Sequence, residues 1–366
     1  MANARILVNA LSVSQGGGRS YVVNLLRELR RDDRGFRFTL LATPEQLAGL
    51  DATGVAVETV RLPRGPRALR LPARVLYEEV GLPVRARRFD LLYCLADICP
   101  PFAPAPVVVL MRNLNIYDRR FYDDARTRML FRLARVGAPR ARFAVFPSRA
   151  AADAIRAKIP IREERVAVVP YGVSEAAFAA AEPFRSEVPY LFLPAAPERH
   201  KNIETLIESL RHVSDPALEV WIAGDSLLDP AHTRALEALA QRLGLRERVK
   251  FLGPVPYAEL LAYYRGATAF VFPSHIETFG HPLLEAMLAG TPVVASDIAT
   301  FREIAGDSAL YFPPRDAKAL ASQVDAVRAD LAATTDRTLR ARRRADGFSW
   351  QRSIDGLCGV FERALR

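Results

Sequence analysis

Two glutamates in a short stretch with almost no other charge are the residues of this chain that could most clearly do chemistry. The stretch covers residues 272–296 and reads FPSHIETFGHPLLEAMLAGTPVVAS, with seven residues between Glu277 and Glu285. Pro282 suits the first turn of a helix, and Gly290 suits its end. The pattern therefore predicts Glu277 in a loop at the carboxyl end of a buried strand and Glu285 about one turn into the following helix.

The start of this predicted helix favours an anion. We expect the backbone N–H groups of Leu283 and Leu284, just after Pro282, to be free and able to hold a phosphate between the two carboxylates. Glu277 and Glu285 could then accept hydrogen bonds from hydroxyl groups on either side, and a ligand with hydroxyls flanking a diphosphate is a nucleotide sugar. The alternative is that Glu285 only complements the helix dipole and that Glu277 is solvated.

Two further loops carry residues that suit an anionic ligand. Lys201 stands at the start of a helix that follows a strand, where a cation is electrostatically misplaced unless an anion shares the site. The chain has only four lysines, which makes a surface role for this one less expected. After the first strand, Gly16, Gly17 and Gly18 open an amphipathic helix and would let a ligand approach the backbone closely. A plain tight turn explains that loop equally well.

The elements that must position these loops are thirteen short apolar segments separated by helix-length segments, which is typical of parallel sheets covered on both faces. Seven segments precede residue 187, at 5–11, 36–42, 55–62, 90–95, 107–111, 143–147 and 166–170. Six follow it, at 190–196, 218–224, 249–253, 269–273, 292–296 and 309–313. In such sheets ligands bind beyond the carboxyl ends of the strands, where all three loops are expected to lie.

The two series predict an α/β protein with two doubly wound, Rossmann-like domains facing each other across a cleft. We place the N-terminal domain at residues 1–175, a linker at 176–188 and the C-terminal domain at 189–349. The apolar residues of 350–366 recur at helical spacing, which predicts a final helix that packs on the domain surface or crosses back to the first domain.

The charge of the chain is uneven. Residues 1–187 hold 30 Lys and Arg against 19 Asp and Glu, whereas residues 188–366 hold 21 against 22. A basic half suggests an anionic partner, although a preference for arginine in the source genome would give the same count. Arginines are dense at 64–88 and at 126–135, where Arg128, Arg132 and Arg135 share one face of a predicted helix. That helix could lie on an anionic membrane, or it could be a solvated helix with its apolar side in the core.

The chain resembles the retaining glycosyltransferases of family 4, which have the GT-B fold, over essentially its whole length. The most specific likeness is the two-glutamate motif, and GGGRSYVVNLL, VPYGV, HKNIETLI, IAGDS, VKFLGPV and the FSW helix support it. The resemblance implies that Glu285 holds the donor ribose, and that Glu277 holds the transferred sugar together with the backbone at Phe279 and Gly280. It also implies roles for Lys201, Leu283 and Leu284 at the diphosphate, for Gly17 and Gly18 closing over the donor, and for Val255 near the base.

The sequence departs from this family at two places. The family usually has an arginine five residues before its lysine, where this chain has Ala196, and Arg199 is the candidate replacement. Many members also carry a His-Asp pair after a strand in the middle of the first domain, where this chain has Arg112 and Asn113. Both of these residues can donate hydrogen bonds, and Arg112 cannot act as a base.

The resulting functional expectation is the transfer of a sugar, with retention, from a nucleotide-diphosphate sugar to a hydroxyl group of a glycan or lipid-linked acceptor. The donor would be a GDP- or UDP-sugar, with a GDP-mannose type compatible, and the pathway bacterial cell-surface polysaccharide or lipopolysaccharide synthesis. No cofactor and no metal are expected, since the chain has no Asp-x-Asp motif or His/Cys cluster.

Two other functions remain open from the sequence: a nucleotide-sugar epimerase or phosphorylase of the same architecture, and a non-catalytic nucleotide-binding protein. No nucleic-acid-binding motif is visible, so a nucleic-acid partner is not expected. The absence of an evident signal peptide and the odd number of cysteines predict a cytoplasmic protein. The basic half leaves contact with the inner face of the cell membrane open.

Overall fold

The computed structural model describes residues 3–13, 17–30, 34–63, 67–173 and 181–366. The chain forms two compact units, one of Met1–Gly172 with Trp350–Arg366 and the other of Val173–Ser349. Part of the linker predicted at 176–188 lies outside the described residues. Gly16 of the glycine loop also lies outside them.

The first unit is built on a seven-stranded parallel sheet in the order β3-β2-β1-β4-β5-β6-β7. Its strands are β1 (Arg5–Asn9), β2 (Arg37–Ala42), β3 (Ala56–Thr59), β4 (Leu91–Cys94), β5 (Val107–Leu110), β6 (Phe143–Phe146) and β7 (Val166–Val168). Its helices before residue 173 are α1 (Gly17–Leu29), α2 (Pro44–Leu47), α3 (Arg67–Leu76), α4 (Leu82–Ala86), α5 (Ala125–Gly137) and α6 (Arg149–Arg156). A π-helical turn at Tyr77–Gly81 joins α3 to α4, and 3₁₀ turns lie at Leu114–Ile116, Ala138–Arg140 and Glu163–Arg165.

The second unit has a six-stranded parallel sheet in the order β10-β9-β8-β11-β12-β13. Its strands are β8 (Tyr190–Leu193), β9 (Glu219–Ala223), β10 (Val249–Gly253), β11 (Ala269–Phe272), β12 (Val293–Ser296) and β13 (Leu310–Phe312). Its helices are α7 (Ile203–Ser209), α8 (Pro230–Arg242), α9 (Tyr257–Gly266), α10 (His281–Ala289), α11 (Ala299–Ala305), α12 (Ala317–Ala329) and α13 (Leu331–Ala345). Its 3₁₀ turns are Arg199–Lys201, Arg246–Arg248 and Gly306–Ser308.

The final helix, α14 (Trp350–Ala364), belongs to the first unit. Trp350 stacks on Tyr171 with ring centroids 6.3 Å apart, and Phe361 meets the ring of Tyr93 at 5.1 Å. Both aromatic side chains of the helix are buried, so α14 closes the core of that unit.

Every one of the thirteen predicted segments contains a strand, which confirms the predicted α/β architecture. The continuous apolar runs follow from burial on both faces. Every residue of β4, β5 and β6 is buried in the first unit, and every residue of β8, β11 and β12 in the second. A strand that packs helices on both faces cannot alternate polar with apolar residues.

In both sheets the order in which successive strands are added reverses once, between β1 and β4 in the first unit and between β8 and β11 in the second. At such a switch point the connections from the two neighbouring strands leave on opposite faces of the sheet and open a crevice. The loops after β1, β4, β8 and β11 are therefore the ones that each fold places around a ligand site. Three of them carry residues that the sequence singled out.

Candidate functional site

The loops after β8 and β11 are joined to each other at the switch point of the second unit. The backbone N–H of His275 donates to the carbonyl of His200 at 2.8 Å. The side-chain amide of Asn202 donates to the carbonyl of Pro273 at 2.9 Å, and Asn202 itself adopts a left-handed conformation with φ 53°. Asparagine tolerates this conformation better than most residues. These bonds fix the backbone on either side of Lys201 and of the loop that carries Glu277.

Lys201 and Glu277 form an ion pair across these two loops. The Nζ atom of Lys201 lies 2.7 Å from Oε1 of Glu277, and the hydroxyl of Ser274 donates to the same oxygen at 3.0 Å. Only 15% and 14% of the two side chains are exposed, so the pair is little screened by water. The ammonium group also lies 5.3 Å from the ring centre of Phe272. The sequence predicted both residues as site residues, and the structure brings them into contact.

The backbone of the Glu277 loop is held as well. Thr300 at the start of α11 donates through its hydroxyl to the carbonyl of Glu277 at 2.8 Å. Next to Lys201, the buried imidazole of His200 has a pKa lowered to about 2 by burial, with Lys201 and His275 adding to the effect. The lowered pKa keeps His200 neutral near pH 7, so its imidazole adds no positive charge beside Lys201.

Glu285 lies on α10 and is hydrogen-bonded by tyrosines of α9. The hydroxyl of Tyr264 donates to Oε2 of Glu285 at 2.8 Å, and Tyr257 also bonds this carboxylate. Burial raises the pKa of Glu285 to about 7, while the two tyrosine hydrogen bonds act in the opposite direction. A carboxyl group with a pKa near neutrality is a common feature of functional sites. The sequence analysis missed Tyr257 and Tyr264, although a spacing of seven places them on one side of a helix.

The helix that carries Glu285 begins at His281, one residue before Pro282, and ends at Ala289 with Gly290 left-handed at φ 74°. This confirms the predicted start and end of the helix. The expectation that the N–H groups of Leu283 and Leu284 are free is wrong. They donate to the carbonyl of Gly280 at 2.9 and 3.3 Å, because the helix starts early enough to include them.

Other predicted donor contacts occupy less central places. The side chain of Phe279 is buried, so only its backbone is available to a ligand, and Gly280 has a φ of 92°, which favours glycine. Val255 is partly buried in the loop between β10 and α9. The exposed Arg199 lies 3.7 Å from Asp229, the N-terminal cap of α8. Among the described residues Arg199 contacts neither glutamate, and its proposed replacement of the arginine absent at Ala196 stays a prediction.

In the first unit, Arg112 packs on the start of α1. A Cβ atom built on Gly18 would clash with Nη2 of Arg112, so only glycine leaves room for the guanidinium group in this position. Gly17 is the first residue of the same helix. The glycine loop of β1 and the loop after β5 therefore meet, and the structure brings together Gly18 and Arg112, which the sequence named separately.

Asp97, which the sequence analysis missed, holds the backbone of Arg112 and Asn113. Its Oδ1 atom accepts hydrogen bonds from the N–H of Arg112 at 3.2 Å, from the N–H of Asn113 at 3.3 Å and from the hydroxyl of Tyr117 at 3.2 Å. Burial raises the pKa of Asp97 to about 6, against the effect of these donors and of the Arg112 charge. Asp97 thus orients the two residues that stand where the family usually has His-Asp.

Two family models match successive parts of the chain. A model described as Glycosyltransferase Family 4 matches residues 15–176, and one described as Glycosyl transferases group 1 matches residues 175–344. Among curated relatives, the O-antigen chain mannosyltransferase RfbU of Salmonella typhimurium is 30% identical over 59% of this chain and 61% of its own length. The D-inositol 3-phosphate glycosyltransferase of Geodermatophilus obscurus is 42% identical over 41% of this chain and 34% of its own length. The chain thus spans about three fifths of the first relative and a third of the second.

Solved structures match the chain along almost its whole length. Sucrose-phosphate synthase from Thermosynechococcus elongatus superposes with a TM-score of 0.80 at 19% identity, covering 99% of both chains. HepE of Anabaena, solved with UDP and glucose, superposes with a TM-score of 0.78 at 20% identity, covering 99% of this chain and 100% of its own. At these identities the likeness shows the fold. The two family models, which together match residues 15–344, show that the chain belongs to glycosyltransferase family 4, and the solved structures show that it has the GT-B fold.

Proposed function

We propose that the protein is a retaining glycosyltransferase that moves a sugar from a nucleotide-diphosphate sugar to a hydroxyl group of a glycan or lipid-linked acceptor. The observation that carries this proposal is the Lys201–Glu277 ion pair at the switch point of the second unit. A diphosphate needs a cation, and a sugar needs hydrogen-bond acceptors. The two charges of the pair supply both within one contact.

In the proposed reaction, Lys201 stabilises the negative charge that develops on the diphosphate as the bond from the sugar C1 to the phosphate oxygen breaks. The electron pair of that bond stays on the phosphate. The acceptor oxygen bonds C1 from the same face and gives its proton to the departing phosphate oxygen. This route keeps the configuration at C1 and needs no protein nucleophile.

Glu277 and Glu285 have separate proposed tasks. Glu277 accepts hydrogen bonds from hydroxyls of the transferred sugar. Its contact with Lys201 holds both side chains in position before the donor binds. Glu285 accepts hydrogen bonds from the donor ribose, in a place that Tyr264 and Tyr257 prepare. We propose that Lys201 supplies the positive charge that a metal ion gives in other transferases, so that no divalent ion is required.

The donor and the pathway are also proposals. Two of the relatives are mannosyltransferases of O-antigen chains, which favours a GDP-mannose type of donor and cell-surface polysaccharide synthesis. HepE was solved with UDP and glucose, so a UDP-sugar is the second candidate donor. The match to each relative is partial, and the identity of the acceptor therefore rests on experiment.

Donor hydrolysis tests the proposal directly. The protein is incubated separately with UDP-, GDP- and ADP-sugars, and free nucleoside diphosphate and free sugar are measured. Release from one donor, with the released sugar first appearing in the anomeric form of the donor, supports retaining transfer. Binding without release indicates a non-catalytic nucleotide-binding protein, and conversion of the intact donor into another nucleotide sugar indicates an epimerase.

A further inference from the structure

The first unit carries an unusual row of exposed aliphatic side chains. On the continuous helical segment formed by α3, the π-helical turn and α4, the residues Leu76, Val80 and Val84 are 66%, 60% and 61% exposed. A spacing of four keeps them on one side of the segment, while Leu82 and Ala86 are fully buried. The side of a surface helix that faces water is normally polar. This segment is apolar on the side that faces the core and on the side that faces water.

A groove continues this row. It has a volume of about 610 Å³, and Val84 and Phe102 both line it. Phe102 is 78% exposed and belongs to the proline-rich connection from β4 to β5. We call Leu76, Val80, Val84 and Phe102 the apolar ridge. The groove lies away from the switch point and shares no lining residue with the candidate functional site.

Four arginines line the groove: Arg87, Arg140, Arg142 and Arg165. Within the part of the chain that the structure describes, none of them forms an ion pair, and no Asp or Glu lines the groove. Arg140 lies 5.6 Å from the ring centre of Phe102 and Arg165 donates to backbone carbonyls. By contrast, the nearby arginines of α4 and its end, at 85 and 88, are both paired with Glu58. Among the described residues, the four groove arginines therefore have no carboxylate within ion-pair distance and none beside them in the lining of the groove.

We propose that the apolar ridge and the four groove arginines form a docking surface for an anionic phospholipid membrane. Charge complementarity selects this partner, because a bilayer surface presents phosphates to the arginines directly above hydrocarbon that can receive the aliphatic and aromatic side chains. Nucleic acid would match the arginines and leave the ridge in water. The groove is large enough to receive a lipid headgroup.

The arginine-rich helix α5 was the other candidate for a membrane surface. The sequence left open whether the arginine-rich helix α5 lies on a membrane or packs its apolar side into the core. Leu130 and Ala134 of α5 are buried, and Met129 and Phe131 pack against the same core, so its apolar side faces the protein. Of the other arginine cluster, Arg64 lies outside the described residues. The membrane surface is thus assigned to the ridge and groove rather than to α5.

Vesicle flotation with the full chain tests the proposal. The protein should float at low salt with vesicles of phosphatidylglycerol and phosphatidylcholine, stay behind with phosphatidylcholine alone, and detach at high salt. Arg140→Gln with Arg142→Gln should lower the partition coefficient about 25-fold, at about fivefold for each of the two cations. Val80→Ser with Val84→Ser and Phe102→Ser should also weaken binding, and thermal unfolding checks that each variant remains folded.

Matched variants in the second unit provide the control. Arg234→Gln with Arg242→Gln removes two exposed arginines of α8, and Leu331→Ser removes a leucine that is 71% exposed. Both should float as the unchanged protein does. Equal loss in these controls would show adsorption by net charge alone and overturn the assigned surface.

Two further outcomes would also overturn it: no flotation with anionic vesicles at low salt, or a concentration-dependent dimer in sedimentation that the ridge variant abolishes. Vesicle binding needs neither donor nor acceptor, so a failure here is distinct from a failure of the proposed transferase function. Donor hydrolysis by the groove variants should equal that of the unchanged protein.

Discussion

The switch points of the two units have the same topology and different chemistry. In the second unit, a cation and a carboxylate from neighbouring loops contact each other directly, Lys201 with Glu277 at 2.7 Å. In the first unit, the buried carboxylate of Asp97 accepts backbone N–H groups, and the side chain of Arg112 extends over Gly18. A Rossmann-like sheet thus specifies where a site forms, and the residues of the loops decide which groups it presents.

This difference predicts how each site responds to mutation. The pair in the second unit combines two groups that each need the other, and removing one leaves a partly buried charge. The arrangement in the first unit depends on the space above one glycine, so a single methyl group can disturb it without any change in charge. The predictions below test these two kinds of dependence.

The largest effect is expected for Glu277→Ala. If Glu277 holds the transferred sugar, turnover should fall by about 100- to 1000-fold, the range for the loss of one preorganised contact. The affinity for nucleoside diphosphate, measured by calorimetry, should change much less, because Lys201 is retained.

Glu247→Ala is the matched control, since Glu247 is an exposed glutamate of a 3₁₀ turn in the same unit. It should leave both quantities unchanged. Unchanged turnover in Glu277→Ala, with the protein folded, would remove Glu277 from the proposed site.

The second effect concerns Gly18→Ala, which should displace the guanidinium group of Arg112. Because the clashing atom is the end of a flexible side chain, the protein should stay folded, while the rate of transfer falls on the order of tenfold to a hundredfold through misplacement of Arg112. Thermal unfolding and transfer to an acceptor are the two measurements.

A double-mutant cycle with Arg112→Gln makes this prediction specific. In that background Gly18→Ala should have little further effect, because the displaced group is gone. Gly359→Ala is the control, since a Cβ atom there meets nothing within 4 Å and the helix α14 accepts alanine. Additive effects of Gly18→Ala and Arg112→Gln would show that the glycine substitution does not act through Arg112.

A third, smaller effect concerns the pH dependence that Glu285 imposes. Its folded pKa of about 7 lies above the ordinary 4.5, so the carboxylate that can accept ribose hydroxyls is half populated at about pH 7 and is the main form only above it. Nucleoside diphosphate affinity should therefore fall on the order of tenfold as the pH drops below 7. Glu285→Gln should lose the part of the pH dependence of affinity that comes from Glu285. The diphosphate titrates equally with both proteins, so its contribution cancels when the two affinity curves are compared.

The same shift has a consequence for stability without ligand. The folded state binds the Glu285 proton more tightly than the unfolded state does, so this group stabilises the fold at low pH and loses that contribution as the pH rises from about 4.5 to about 7. Thermal unfolding of the unchanged protein and of Glu285→Gln should diverge over this interval. Parallel curves would contradict the raised pKa.

The comparison of the two units also shows what the sequence could predict. The strands were predictable because burial on both faces demands continuous apolar runs, and the ends of α10 were predictable because Pro282 and Gly290 have restricted uses. The neighbourhood of Lys201 and Glu277 was predictable in outline, since both follow strands whose carboxyl ends meet at one edge of the sheet, but their direct contact was not predicted. Whether the N–H groups of Leu283 and Leu284 are free or hydrogen-bonded depends on the exact residue at which the helix starts. Sequence patterns do not fix a helix start to one residue.

Other features could not be predicted because their meaning comes from tertiary neighbours. Asp97 is one of many acidic residues until its carboxylate meets two backbone N–H groups. Tyr264 occupies an apolar helical position that a core residue would also fill. Val80 and Val84 recur at the spacing of a core face, yet the structure exposes them. A periodic pattern shows which side of a helix is apolar and does not show what covers that side.

The smallest expected effect is that of metal removal, where the prediction is no change. In the second unit the ammonium group of Lys201 is held beside Glu277, and we propose that this fixed cation stabilises the charge that develops on the departing diphosphate without a divalent ion. The rate of transfer in excess chelator should therefore equal the rate in Mg²⁺ or Mn²⁺. Lys201→Gln should be slow under both conditions, because the missing charge belongs to the protein. Activity that chelator abolishes and Mg²⁺ restores would show that the diphosphate is held differently, and Lys201 would then be a partner of Glu277 only.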